Sequence, residues 1–182
     1  MNWRNNTDRY GSISISLHWI MLLLLIAVFA CIELRGIFPK GSDPREAMKI
    51  WHYMLGLSVL ALVSLRLAVH IIGPSPDIEP NPPKWQKLFA RVMHLALYVF
   101  MIGMPLAGWL MLSAAGKPIP FFGLHLPALI SENEPLAKLI KEVHKTAGTV
   151  GYFLIGLHAA AALFHHYIVK DNTLRRMLPG QD

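Results

Sequence analysis

Long runs of apolar residues, separated by short polar connections, dominate the pattern of this chain. Four of the runs are long enough to cross the hydrocarbon core of a bilayer, which takes about 20 helical residues. Their predicted bounds are 13–32, 51–72, 89–112 and 143–169. Backbone groups in lipid must be hydrogen-bonded within their own segment, so we predict an α-helix at each of the four places.

The connections between these runs carry signals that end helices. "RGIFPKGSDPREAMKI" is short and polar, and "GPSPDIEPNPPKW" is too rich in proline to continue a helix. The third connection is longer, and its last part, 134–142, follows the helix-start signal "NEP". We interpret 134–142 as an interfacial helix that runs into the fourth span. The sequence thus predicts an all-α membrane protein, a four-helix bundle forming one domain over 1–182, with both termini on one side.

Composition agrees with a place in a membrane. The chain is 54% hydrophobic and only 15% charged, with a mean hydropathy of +0.41, unlike an ordinary soluble domain. We therefore expect membrane lipid, and no nucleic acid, among its partners. The single cysteine, Cys31, excludes an intrachain disulfide and a metal site built on paired cysteines.

Lysine and arginine are almost evenly divided between the two sides of the membrane. Nine lie on the side of the termini and eight on the other side, so the positive-inside rule does not decide the orientation. Since an outer face normally has few cations, basic loops on both sides suggest that one of them attracts anionic substrates or partners. The alternative is simple charge balance against Glu132, Glu134 and Glu142.

Histidines are the most informative polar residues, because ionisable groups inside a membrane are costly and usually functional. Eight of the nine histidines lie in or at the ends of the predicted spans, and His125 lies in a loop. Six belong to the terminal side: His18, His70, His94, His158, His165 and His166. Two belong to the other side: His52 and His144.

Two histidines of the fourth helix are spaced so that one lies towards each side of the membrane. His144 and His158 are 14 residues apart, which is a rise of about 21 Å and nearly the same helix face. Such a pair suits two b-type haems, each needing a second axial histidine from another helix. His52 is the candidate partner of His144, whereas His18 and His94 are equally good partners of His158 by spacing.

Glycine spacing supports the first pair. His52 and His144 are each followed four residues later by a glycine, Gly56 and Gly148, which leaves space for the face of a porphyrin. The alternative is that these glycines are close-packing sites between membrane helices. Zinc is disfavoured because no ligand cluster has a recognisable spacing. A small transporter or channel is a further alternative, although discontinuous helices would then be expected.

The stretches "GYFLIGLHAAAALFHHYIVKDNTLRRMLP", "SISLHW" and "ELRGIFPKG" resemble the bacterial cytochrome b561 family, and the resemblance covers essentially the whole chain. It implies a bundle in the bacterial inner membrane, with both termini cytoplasmic and two non-covalent b haems. It also implies that His18 lies opposite His158 on the inner haem, and His52 opposite His144 on the outer haem. The best-known activity of the family is superoxide oxidation with ubiquinone as electron acceptor.

The function expected from this resemblance is that of a superoxide:ubiquinone oxidoreductase. Periplasmic cations would attract superoxide, and those predicted as catalytic are Arg45, Lys49, Lys117 and Lys138, within a larger set that also includes Arg35, Lys40 and Lys141. Side chains near the cytoplasmic boundary would bind ubiquinone and supply protons: His94, His165, His166 and Lys170. Their alternative role is interfacial contact with lipid.

A second function remains open at this point. Cytochrome b subunits of hydrogenases and formate dehydrogenases have a similar plan, and there the outer face docks a catalytic subunit. The chain would then be an electron-transfer subunit with a periplasmic donor protein as partner. A homodimer is a further possibility left open by the sequence.

Overall fold

The computed structural model describes residues 3–7 and 9–180 and is almost entirely helical. The four long helices are α1 (Ser12–Leu34), α2 (Asp43–Ile72), α3 (Lys84–Ala114) and α4 (Glu134–Phe164). A short 3-10 turn, Arg35–Ile37, follows α1, and another, Arg175–Met177, lies near the C-terminus. A π-helical turn, His165–Val169, extends α4. All four long helices are apolar enough to span a bilayer, and the chain is a multi-pass membrane protein.

All four helices begin before the predicted membrane spans, α1 by a single residue and the other three by more than one helical turn. α2 starts at Asp43, with proline and acidic residues in its first turn, and α3 starts directly after Pro83. The stretch 134–142, expected as an interfacial helix, forms the first turns of α4 without a break, and Asn133 caps it by accepting a hydrogen bond from Leu136 N–H. Hydropathy locates the lipid-embedded part of a helix, whereas caps and prolines fix its true start.

The third connection contains a small β-hairpin that the sequence analysis did not predict. β1 (Ile119–Phe121) pairs antiparallel with β2 (Leu124–Leu126), with Phe121 opposite Leu124. The two loop residues, Phe122 and Gly123, have φ angles of 46° and 85°. Positive φ at both positions matches the twist of a two-residue hairpin turn. Ile119 packs against Leu57 and Leu112, so the hairpin covers one end of the bundle, here called the hairpin end.

The helices pack as consecutive pairs, α1 on α2, α2 on α3, and α3 on α4. Met21, Val59, Val63 and Met101 form the buried core of the first three helices. In α4 the buried residues among those described are only Ala137 and Gly151. α4 therefore contributes little to the buried core. It contacts α1 through Tyr152, whose ring lies 4.4 Å from that of Phe29.

At the opposite end, here called the terminal end, three segments are tied together. Asp77 N–H donates to the Thr7 carbonyl at 3.1 Å, which joins the N-terminal segment to the α2–α3 connection. Asn172 N–H donates to the Glu79 carbonyl at 3.0 Å, and the indole of Trp19 in α1 donates to the Met177 carbonyl at 2.7 Å. The segment after α4 is thereby fixed across this end of the bundle.

Candidate functional site: two histidine clusters and a cationic cavity

A large cavity opens between α4 and the other helices at the hairpin end. Its volume is about 980 Å³, and its walls come from all four long helices and the hairpin. This is at the upper end of the sizes found for ligand pockets, which are about 300–1,000 Å³. His52 and His144 both line it, so the predicted outer pair belongs to one cavity.

The two imidazoles face each other across this cavity. The ring centroids of His52 and His144 are 6.4 Å apart, with ring planes at 77°. Two histidine nitrogens each bound at about 2 Å to one metal ion, with ring centres about 1 Å further out, give a separation of about 6 Å. The rings are thus spaced to bind one iron between them.

Hydrogen bonding fixes which nitrogen of His52 is available. Its Nδ1 lies 3.0 Å from the carbonyl oxygen of Val28 in α1, and a carbonyl only accepts, so Nδ1 carries the proton. Metal-binding histidines use the same second interaction to orient the ring. The buried Nδ1 of His144 has no hydrogen-bond partner within the described parts of the chain. A buried polar atom without a partner is costly, and the ring of His144 is therefore not held by hydrogen bonds within the described protein.

The glycines beside these histidines line open space. A Cβ placed on Gly56 would meet no atom within 4 Å, and one on Gly148 would meet only the flexible end of Met104 at 3.7 Å. Both glycines line the cavity. The alternative that they are close-packing sites is therefore wrong, and that role belongs instead to Gly151, whose Cβ position collides with the ring of Phe100.

The second cluster contains three histidines on three helices. The ring of His158 lies 6.3 Å from that of His18, at 62°, and 5.6 Å from that of His94, at 65°. Both alternatives left open by spacing are therefore close to His158, but only the His18 separation matches the 6.4 Å of the first pair. Arg66 of α2 lies within electrostatic reach of all three rings and was not singled out from the sequence.

Most of the predicted catalytic cations lie at the cavity. Three of the four, Lys49, Lys117 and Lys138, line it, as do the further cations Arg35, Lys141 and Lys145. Three carboxylates also line the cavity: Glu33, Glu132 and Glu134. Two of the cations are neutralised locally, since Lys49 pairs with Glu46 at 2.6 Å and Lys138 pairs with Glu134 at 2.8 Å.

Arg45 is not brought to the cavity with the other predicted catalytic cations. Its guanidinium instead donates to the carbonyls of Arg35 and Phe38, at 3.1 and 2.8 Å. These bonds hold the turn after α1, so the structure gives Arg45 a structural role.

The predicted quinone residues divide into two groups. His94 lies with His158, whereas His165, His166 and Lys170 lie where α4 ends. Lys170 is exposed and adopts a left-handed conformation that reverses the chain.

The reversal returns Asp171 to the helix, and its Oδ2 accepts a hydrogen bond from His165 Nδ1 at 2.5 Å. Asp171 is 1% exposed and was missed from the sequence, because a short "KDN" segment after a helix is typical of a solvated turn.

The ionisation state of Asp171 follows from its contacts. Burial acts to raise the pKa of its carboxyl, but the hydrogen bonds from His165 and Thr173 outweigh burial and hold the pKa below its usual value. The carboxylate is therefore charged at neutral pH, and the proton between the two groups belongs to His165.

Comparison with known proteins identifies the architecture. A family model described as "Prokaryotic cytochrome b561" matches residues 9–180. The chain belongs to the prokaryotic cytochrome b561 family. It is 43% identical over 172 residues to "Cytochrome b561 homolog 1" of Escherichia coli K12, covering 94% of this chain and 98% of that protein. It is 39% identical over 171 residues to "Probable superoxide oxidase CybB" of Yersinia pestis, covering 94% and 96%.

A third similar protein, "Cytochrome b561 homolog 2" of Escherichia coli K12, is 31% identical over 181 residues, covering 98% of this chain and 95% of that protein. Membership of the cytochrome b561 family confirms the resemblance found in the sequence. It establishes electron transfer at the level of the family and implies b-type haem as the cofactor. The histidine spacing and the vacant sides of Gly56 and Gly148 fit that cofactor.

Proposed function

We propose that this cytochrome b561 is a superoxide oxidase of the bacterial inner membrane that uses ubiquinone as its electron acceptor. Two superoxide anions, one quinone and two protons are converted to two dioxygen molecules and one quinol. The observation that carries the proposal is the cation-lined cavity that encloses His52 and His144. A relative that covers nearly the whole chain bears the name of this activity.

Four histidines are proposed to hold two b haems. His52 and His144 ligate the outer haem, and His18 and His158 ligate the inner one, because these two pairs have matching ring separations of 6.4 and 6.3 Å. Bound haem supplies one-electron carriers that connect the two ends of the protein. The histidines fix the positions of these carriers in the membrane, and the Val28 carbonyl holds the ring of His52.

The cations at the hairpin end are proposed to concentrate superoxide. Cations outnumber carboxylates in the cavity lining by six to three, and an excess of positive charge raises the local concentration of an anion and its rate of arrival. Lys117 and Lys141 line the cavity with no ion pair to any residue that the structure describes, so their charges are available to an anion. We place this end in the periplasm and both termini in the cytoplasm.

The terminal end is proposed to bind ubiquinone. His165 and His166 lie at the last turn of α4, where a quinone in the bilayer can reach them, and His94 lies beside His158. Imidazoles exchange protons near neutral pH, as quinone reduction requires. Lys170 is exposed just beyond the helix and is suited to bind a polar headgroup or the quinone ring.

Superoxide-driven quinol formation by the purified single chain tests this function. The K117Q/K141Q double variant should lower the second-order rate and flatten its dependence on ionic strength. Lys138→Gln should have a smaller effect because Glu134 already balances Lys138 at 2.8 Å. Lys87→Gln, at the other end of the protein, is the control. Quinol formation at a rate no greater than that without protein would overturn the proposal.

The second candidate function is that of an electron-transfer subunit, and the surface around the hairpin favours this function. Phe122, Leu124 and Leu129 around the hairpin are 55%, 66% and 45% exposed, which is an apolar patch beside the cavity. A donor protein docked there would deliver electrons to the same histidine pair. The two functions separate cleanly, since a subunit of this kind would show haem reduction by quinol and no reaction with superoxide on its own.

A further inference from the structure

The end of α4 contains a buried acid that the proposed function does not use. His165 begins the π-helical turn, and its carbonyl accepts the N–H groups of Lys170 and Asp171, the latter at 3.2 Å. The left-handed Lys170, with φ of 61°, turns the chain back so that Asp171 lies beneath the helix end. The irregular turn thus places a carboxylate against the side chain of His165.

Both oxygens of this carboxylate have protein partners. Oδ2 accepts from His165 Nδ1 at 2.5 Å, and Oδ1 accepts from Thr173 N–H at 2.9 Å. The side chain of Asp171 is 0% exposed, whereas that of His165 is 19% exposed. A buried charge is costly unless it is paired, so the pair is stable only with its proton on His165 Nδ1. Nε2 is then the ring atom left to exchange protons with another molecule.

We propose that Asp171 is a positioning residue for proton delivery, holding His165 so that Nε2 donates a proton to an oxygen of the bound quinone. This inference rests on the quinone reduction proposed above. As the quinone accepts an electron, the N–H bond at Nε2 breaks and an O–H bond forms on the quinone. His165 keeps the proton on Nδ1, as a histidine oriented by a carboxylate does in hydrolases.

Water at the terminal end then returns a proton to Nε2. The same group supplies the second proton with the second electron, so that one quinone takes up two electrons and two protons. Asp171 does not transfer a proton. Its charge stabilises the doubly protonated ring before each transfer and fixes the direction of Nε2.

Other charged and titratable groups near the pair belong to three segments. His166 and Lys170 flank it along the chain, and Arg176 interacts electrostatically with Asp171, Asp77 and Tyr10. Arg176 also donates to the Pro76 carbonyl and lies 5.7 Å from the ring of Tyr10. Since Arg176 is held by contacts with Pro76 and Tyr10, a substitution at Asp171 should change mainly the charge beside His165.

The test follows electron transfer to quinone without superoxide. Chemically reduced protein is mixed with a soluble ubiquinone analogue, and haem oxidation is recorded by absorbance over a range of pH. In the wild type, the rate should fall at alkaline pH, because quinone reduction takes up protons by way of His165. In Asp171→Asn the rate should be lower and its pH profile should change, because the carboxylate that orients the donor ring is gone. Asp171→Glu should restore most of the wild-type profile.

Asp77→Asn is the matched control, because it removes a carboxylate from the same end without touching His165, and its pH profile should coincide with that of the wild type. Haem content and melting temperature report whether each variant is assembled. His165→Gln is the second variant, and it should abolish the alkaline fall altogether.

An Asp171→Asn or His165→Gln protein with full haem and the wild-type pH profile would overturn the proton-delivery role. A wild-type protein that quinone does not oxidise at any pH would overturn quinone reduction as well. The two failures are therefore distinguishable in one experiment.

Discussion

The open space beside Gly56 gives the sharpest test of where the outer haem binds. A Cβ at this position meets no atom within 4 Å, and the position lines the cavity that contains His52 and His144. Gly56→Ala should therefore cause no clash, and it should raise stability by up to about 1 kcal/mol, the helix-propensity difference between the two residues. Gly56→Leu should extend an isobutyl group into the space proposed for the porphyrin.

The assay is haem per polypeptide in the purified protein, measured together with the melting temperature. For Gly56→Leu we expect the haem content to fall from two per chain to one, with the polypeptide still folded. Gly156→Leu is the matched control, since its Cβ also meets no atom within 4 Å but the residue does not line the cavity. It should keep both haems.

A variant at a third glycine distinguishes the loss of haem from the loss of helix packing. At Gly151 an added Cβ collides with the ring of Phe100, so Gly151→Ala should cost about 1–3 kcal/mol as an overpacked contact. Its melting temperature should fall before its haem content does. Full haem in Gly56→Leu, or equal haem loss in Gly56→Leu and Gly156→Leu, would refute the position of the outer haem.

Three further predictions use other contacts. Arg45→Gln should lower the melting temperature, at a cost of about 1–3 kcal/mol for the carbonyl bonds it loses, and should leave the ionic-strength dependence of superoxide oxidation unchanged. Tyr152→Phe removes a 2.8 Å hydrogen bond to an exposed carboxylate of α1, so chemical unfolding should show a loss of no more than about 1 kcal/mol. The hydrogen bonds of Asp171 hold its pKa below the usual value, so their contribution is complete above the unfolded pKa of about 4 and is lost as the pH falls below it. Thermal unfolding at acid pH should therefore show a smaller difference between Asp171→Asn and the wild type than at neutral pH.

Hydropathy was sufficient to predict the four helices, because a membrane requires long apolar segments that satisfy their own backbone. It did not predict the exact starts at Asp43 and Lys84, which depend on local capping and proline. The β-hairpin was missed for a different reason. Its strands are three residues long, and its turn places Phe122 at a positive φ that few non-glycine residues adopt.

Depth along the helices was enough to predict that His52 lies near His144, since only one other histidine of the four spans lay on that side of the membrane. The same argument left two partners for His158, and the structure shows why, because His18 and His94 are both within 6.3 Å of its ring. The burial of Asp171 could not be predicted from the periodicity of the sequence. Its burial depends on a π-helical turn and a left-handed Lys170, neither of which has a pattern in the sequence.

The two ends of the bundle differ in the way that the two proposed substrates require. At the hairpin end, six cations and three carboxylates line a cavity of about 980 Å³. At the terminal end, the chain segments are tied across the bundle by hydrogen bonds such as Asn172 to Glu79. Access there is left to the sides of α4, where Phe164, Tyr167 and Ile168 are 51%, 66% and 68% exposed. An apolar quinone can reach such a site from the lipid, which agrees with the proposed place of quinone at the terminal end.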